Sequence, residues 1–128
     1  FNFLKYIKEN KTKDLSCILL DEAQFLSKAQ VRQLGQVADK LNYPVMCYGI
    51  RTDFRGELFE GSAELLALAD NLIELKTICS LCNRKATMVV RKDENGNIVT
   101  EGSKIVVGGN DIYMPVCRKH YQKLTKLI

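Results

Sequence analysis

Two sets of residues in this 128-residue chain have the types and spacing that chemistry requires. The first is Asp21-Glu22, where an apolar run, Leu15 to Leu20, stops at two carboxylates and Ser27 then opens a helix. Carboxylates at the mouth of a buried parallel strand lie where open α/β sheets bind ligands. An acid ending such a strand suits a Mg²⁺-associated role, and the next acid suits activation of a nucleophile in phosphoryl transfer. A bland reading competes: acids after a strand also cap helices or solvate loops. The second set is Cys79-x-x-Cys82 and Cys117-x-x-His120, two pairs 34 residues apart that supply the four soft or borderline ligands a tetrahedral Zn²⁺ accepts. With no open position, such a metal is structural and closes a lobe too short to have its own core. The competing reading is three buried thiols and an incidental histidine.

The elements that must position these groups follow from periodicity. Asn2 to Glu9 reads as a short helix packed on a sheet, and Leu15 to Leu20 as a strand. Ser27 and Gln30 form a capping box that opens a helix with an apolar stripe of Val31, Leu34, Ala38 and Leu41. Tyr43-Pro44 ends it, and Val45 to Ile50 is the next strand, joined by a right-handed parallel crossover. Arg51 to Gly61 is a loop whose Phe54 and Phe59 either line a site or plug a core. Ser62 is expected to cap a helix, Ala63 to Ala69, and Leu72 to Lys76 to form a third strand. Beyond it, Asn95-Gly96 signals a hairpin between Met88–Arg91 and Ile98–Thr100. Gly108-Gly109 reads either as a plain turn or as a loop folding over a small ligand, with Tyr113 behind it. A last helix uses Tyr121, Leu124 and Leu127 as its stripe.

Composition narrows the classes. A hydrophobic content of 46% allows a globular core, and nineteen basic against fifteen acidic residues, spread along the chain, give a net charge of +4. That fits a soluble surface better than a nucleic-acid track, and no membrane-spanning segment is present in the sequence. No G-x-x-x-x-G-K-[ST] loop occurs, and the chain begins at Phe1 already inside an apolar pattern. The expectation is the C-terminal part of a longer protein whose first strand and phosphate loop lie upstream. The fold expected is α/β: a parallel-sheet, P-loop-kinase-like (RecA-like) core on its Walker B side over residues 1–76, and a zinc-ribbon-like lobe with a C-terminal helix over 77–128.

Five segments in order, DEAQF, CYGIRTDFRGELFEGS, KTICSLCNRKA, VVGGNDIY and CRKHY, resemble the type II thymidine kinases, the cytosolic class with a zinc lobe. The resemblance implies ATP-dependent phosphorylation of the thymidine 5′-hydroxyl, with Glu22 as general base and Asp21 associated with the Mg²⁺ of ATP. It implies nucleoside contacts from Phe25, with Phe54 and Phe59 behind the pocket, and from a lasso loop containing Val106, Val107, Gly108, Gly109 and Tyr113. Cys79, Cys82, Cys117 and His120 match the family's zinc ligands. A homotetramer, feedback inhibition by thymidine triphosphate and a cytoplasmic location are further implications, with neither nucleic acid nor membrane as partner. The letters DEAQ also resemble the ATPase motif of nucleic-acid helicases, and a non-catalytic zinc-binding module is a third class. Stimulation by DNA or RNA would identify the second, and absence of nucleoside affinity the third.

Overall fold

The computed structural model describes residues 1–10, 15–102 and 109–128. The sequence signals are clearest at Ser27, whose Oγ accepts the Gln30 N–H at 3.2 Å while Gln30 Oε1 accepts the Ser27 N–H at 3.0 Å. This capping box satisfies two donors that a helix start leaves orphaned. Helix α2, Lys28–Leu41, follows and buries Val31, Leu34 and Val37. Val37 takes the core position expected of the neighbouring Ala38; both lie near the same face, and the larger side chain occupies the inside. Helix α1, Phe3–Glu9, packs along α2 rather than on a sheet. The reason is polar: Gln33 Oε1 accepts the Phe3 N–H at 2.9 Å, and Gln30 Nε2 donates to the Phe1 carbonyl at 3.1 Å.

Strands β1, Ile18–Leu20, and β2, Val45–Cys47, pair in parallel around α2, with Ile18 opposite Val45 and Leu20 opposite Cys47. Both are shorter than the apolar runs that announce them. Helix α3, Glu60–Leu68, starts at Phe59 and not at Ser62. Ser62 is not a cap because its hydroxyl donates to the Ile50 carbonyl, a partner twelve positions away. These elements form one compact unit, Phe1–Arg51 with Phe59–Leu72.

The expected third strand is not formed. Residues 72–76 have no regular structure, and Leu72, Ile73 and Leu75 are 65%, 83% and 72% exposed. An apolar run becomes a strand only where a neighbouring strand takes its N–H and C=O groups, and among the described residues none does so here.

The second unit comprises Thr52–Leu58 and Ile73–Ile128. It holds an antiparallel sheet in the order β4-β3-β5, with β3 Met88–Lys92, β4 Ile98–Val99 and β5 Ile112–Val116. The β3–β4 hairpin forms at Asn95-Gly96, but only Gly96 of that pair has a positive φ, and the Gly96 N–H bonds the Asp93 carbonyl. Asp93 Oδ1 also accepts the Asn95 and Asn97 N–H groups, each at 2.9 Å, which fixes the turn from inside. Helix α4, Arg118–Thr125, packs on β3 through Tyr121, which is fully buried with Val90 and Val116. Leu124 joins that cluster, whereas Leu127 lies past the helix end, where Lys126 turns left-handed. The Tyr121 hydroxyl donates to the Phe54 carbonyl at 2.8 Å and so ties α4 to the Thr52–Leu58 turn.

Candidate functional site

At the end of β1 the ladder continues beyond the strand: the Tyr48 N–H bonds the Leu20 carbonyl at 2.8 Å and the Ala23 N–H bonds the Tyr48 carbonyl at 2.9 Å. Asp21 and Glu22 therefore sit on a fixed backbone, both exposed. Glu22 adopts φ 53°, ψ 40°, a left-handed conformation that costs a non-glycine residue on the order of 1 kcal/mol. It is held there by Asp21, whose Oδ1 accepts the Glu22 N–H at 2.8 Å. A tight turn, Ala23–Phe25, follows.

The residue that sequence reading passed over is Gln24. It is only 3% exposed, and its Nε2 donates to a Glu22 carboxylate oxygen while Oε1 faces the Ile50 N–H at 3.4 Å. Two glycines make room for it. A Cβ on Gly49 would lie 2.6 Å from Gln24 Oε1, and one on Gly61 would lie 2.6 to 2.9 Å from the carbonyl oxygens of Ala23, Gln24 and Leu26. The only signal in sequence was a glutamine two positions after the acidic pair, with glycines in the facing loop.

The aromatics divide. Phe25, half exposed, meets the buried Phe59 edge-to-face with ring centroids 5.4 Å apart. Phe54 belongs to the second unit, where it is buried and the Arg91 guanidinium lies 5.1 Å from its ring centroid. Both Phe54 and Phe59 are thus core residues of their units. Tyr113 stands on β5 opposite Arg91 and is 47% exposed, Gly109 is exposed with φ +95°, and an Arg91–Asp111 ion pair joins β3 to the start of this segment. Val106, Val107 and Gly108 lie outside the described residues.

The four cysteine and histidine ligands converge. Their ligand atoms all lie within 4.8 Å of one another, although the two pairs come from opposite ends of the lobe. Cys82 Sγ is 3.8 Å from Cys117 Sγ, and His120 Nδ1 is 3.3 Å from Cys117 Sγ and 3.7 Å from Cys79 Sγ. Ligands bonded at roughly 2.0 to 2.3 Å to a tetrahedral zinc are separated by roughly 3.5 to 3.8 Å, so the set fits that ion. The local folding explains the convergence. The Cys79 N–H bonds the Arg84 carbonyl at 2.7 Å and the Ala86 N–H bonds the Thr77 carbonyl at 2.6 Å, closing a knuckle around the first pair. The Cys117 side chain caps α4, accepting the His120 N–H at 3.5 Å, so the second pair sits on the first turn of the helix.

The thiols are electrostatically unequal. Burial pushes Cys79 up, but N–H groups of Cys117 and Leu81 and the neighbouring thiols outweigh it and bring it down to about 6. Cys82 is drawn down by the Arg84 N–H, yet burial and the adjacent Cys117 and Cys79 leave it above the ordinary thiol value. One thiolate is favoured and a second resists forming beside it, because two negative charges on close sulfurs repel.

Known proteins match this sequence. The family model described as thymidine kinase matches residues 1–121. A thymidine kinase of Vibrio cholerae is 64% identical over 107 residues, 84% of this chain and 55% of the relative. One from Vibrio vulnificus is 60% identical over 114 residues, 89% of this chain and 59% of the relative. One from Aliivibrio fischeri is 55% identical over 123 residues, 95% of this chain and 64% of the relative. The chain thus spans somewhat over half the length of these relatives. On a match that covers nearly its whole length, including both the acidic strand end and the Cys/His cluster, the chain belongs to the thymidine kinase family.

Proposed function

We propose that the complete protein transfers the γ-phosphate of ATP to the 5′-hydroxyl of thymidine. Glu22 carries this reading: in a chain of this family, it is a carboxylate fixed in a strained backbone at a strand end. The relatives' shared name supplies the substrate. In this reading Glu22 takes the hydroxyl proton as general base, and a base placed within hydrogen-bond reach contributes typically 10²–10⁴-fold. Asp21, with Oδ1 engaged by the Glu22 N–H, would be the residue associated with the Mg²⁺ that accompanies ATP. That ion would neutralise phosphate charge, and the rest of the task is positioning.

In this reading Phe25, half exposed, contacts the nucleoside, and Phe54 and Phe59 are the aromatics behind it, each buried in the core of its own unit. The segment containing Val106, Val107, Gly108, Gly109 and Tyr113 presents main-chain groups to the thymine edge, which suits a flat ring with alternating donors and acceptors. The Cys79, Cys82, Cys117 and His120 cluster would hold a structural zinc, whose binding would add to the folding energy of the lobe. The reading includes a P-loop-kinase-like core over residues 1–76 and a zinc-ribbon-like lobe over 77–128. It also includes a homotetramer, inhibition by thymidine triphosphate and a cytoplasmic setting. No helix among the described residues is long and apolar enough to cross a membrane, which is compatible with that setting.

The test is phosphate transfer from Mg-ATP to thymidine by the complete protein, with deoxycytidine and deoxyguanosine as controls. Transfer confined to thymidine is expected. Equal transfer to all three, or ATP hydrolysis stimulated by DNA or RNA without transfer, would overturn the reading.

A further inference from the structure

We propose that Gln24 is a positioning residue for Glu22, its buried amide holding the carboxylate in one orientation at the end of β1. The proposal rests on the reading of Glu22 as the base.

A free glutamate side chain at an exposed turn has three rotors, and a base must be held near its target for the proton transfer to be efficient. Two groups constrain Glu22 from opposite ends. Asp21 takes its backbone N–H, and the Gln24 amide takes its carboxylate. The amide cannot be reversed without loss. Its oxygen faces the Ile50 N–H and its NH₂ faces a carboxylate, so a flip would set acceptor against acceptor and donor against donor. Its place is also built from outside: the missing Cβ of Gly49 leaves the space that Gln24 Oε1 fills, and Gly61 lets α3 seat directly on the carbonyls of the Ala23–Phe25 turn. A buried glutamine with a purely structural role would spend its NH₂ on a buried carbonyl. This one spends it on the carboxylate of an exposed residue.

The test is a pair of backgrounds in the complete protein. Gln24→Leu, close in volume and without the donor, should lower kcat for thymidine about 10- to 100-fold while the KM for thymidine moves by less than about threefold. In a Glu22→Gln background the same change should cost no further kcat, because the group it positions is already gone. Equal losses in both backgrounds, or a loss confined to KM, would show a structural role and overturn the proposal. If Gln24→Leu does not fold by circular dichroism, Gln24→Met, unbranched and of similar length but without the donor, takes its place, and the same dependence on Glu22 is expected. A Glu22→Gln protein with near-normal turnover would instead remove the base itself, and with it both readings.

Discussion

The two units solve the same problem, holding a few polar groups at fixed separations, by different means. In the first, the acidic turn is set by a hydrogen-bonded ladder, a buried amide and two glycines, with α3 packed on the turn. In the second, a small sheet and one helix share a core whose buried members include Cys79 and Cys117, two of the ligands. A metal held by the Cys/His cluster would do there what further apolar side chains do elsewhere. The difference teaches that protein groups alone shape the acidic turn, whereas the lobe carries a donor set through which a metal could add folding energy.

The largest effect should come from breaking the second arrangement. Cys82→Ser, or a strong chelator, is expected to remove one equivalent of zinc and abolish amide-exchange protection in the Thr77–Ala86 knuckle, since binding energy at such sites is folding energy. Helix α2 should keep its protection. A metal-free protein with an intact knuckle would erase the contrast.

Next is Glu22→Gln, which tests the first arrangement by function and not by stability. Turnover on thymidine should fall roughly 10²- to 10⁴-fold with little change in thymidine affinity, because only base catalysis is lost. The melting temperature should hold, since glutamine keeps the side-chain volume and has the same left-handed backbone cost as the glutamate it replaces. A drop in stability matching the drop in rate would mean that Glu22 is a structural member of the turn.

A smaller effect probes the lobe's packing apart from its metal. Tyr121→Phe keeps the ring among Val90 and Val116 but leaves the Phe54 carbonyl without the hydroxyl that bonds it. Destabilisation of about 1 to 3 kcal/mol is expected in denaturant titration, with zinc stoichiometry unchanged. Loss of zinc in this variant would show that core and metal centre are one cooperative element.

How much could be read from the letters follows the range of each interaction. The capping box at Ser27, the end of α2 before Tyr43-Pro44 and the hairpin at Gly96 were legible because their partners lie within a few residues. The Cys and His pairs were legible because each pair is local and metal-ligand chemistry admits few residue types. What failed was decided at a distance. Ser62 looks like a cap but gives its hydroxyl to Ile50, and Leu72 to Lys76 looks like a strand but has no neighbouring strand among the described residues. Gln24 lay hidden for the same reason. Its meaning comes from Ile50 and Gly49, some 25 positions on.

The smallest effect sharpens the comparison at its most local point. Ser27→Ala removes the acceptor for the Gln30 N–H and should cost about 1 kcal/mol, typical of a lost N-cap. Gln30→Ala should cost more, because the same side chain accepts the Ser27 N–H and donates to the Phe1 carbonyl that starts α1. In a double-mutant cycle the Ser27 and Gln30 losses should be less than additive. Once one half of the reciprocal cap is gone the turn frays, and the other half has less to hold. Strict additivity would mean that the two bonds form independently and that α1, not the cap, fixes the first turn of α2. Either way, the change should leave zinc retention in the lobe untouched.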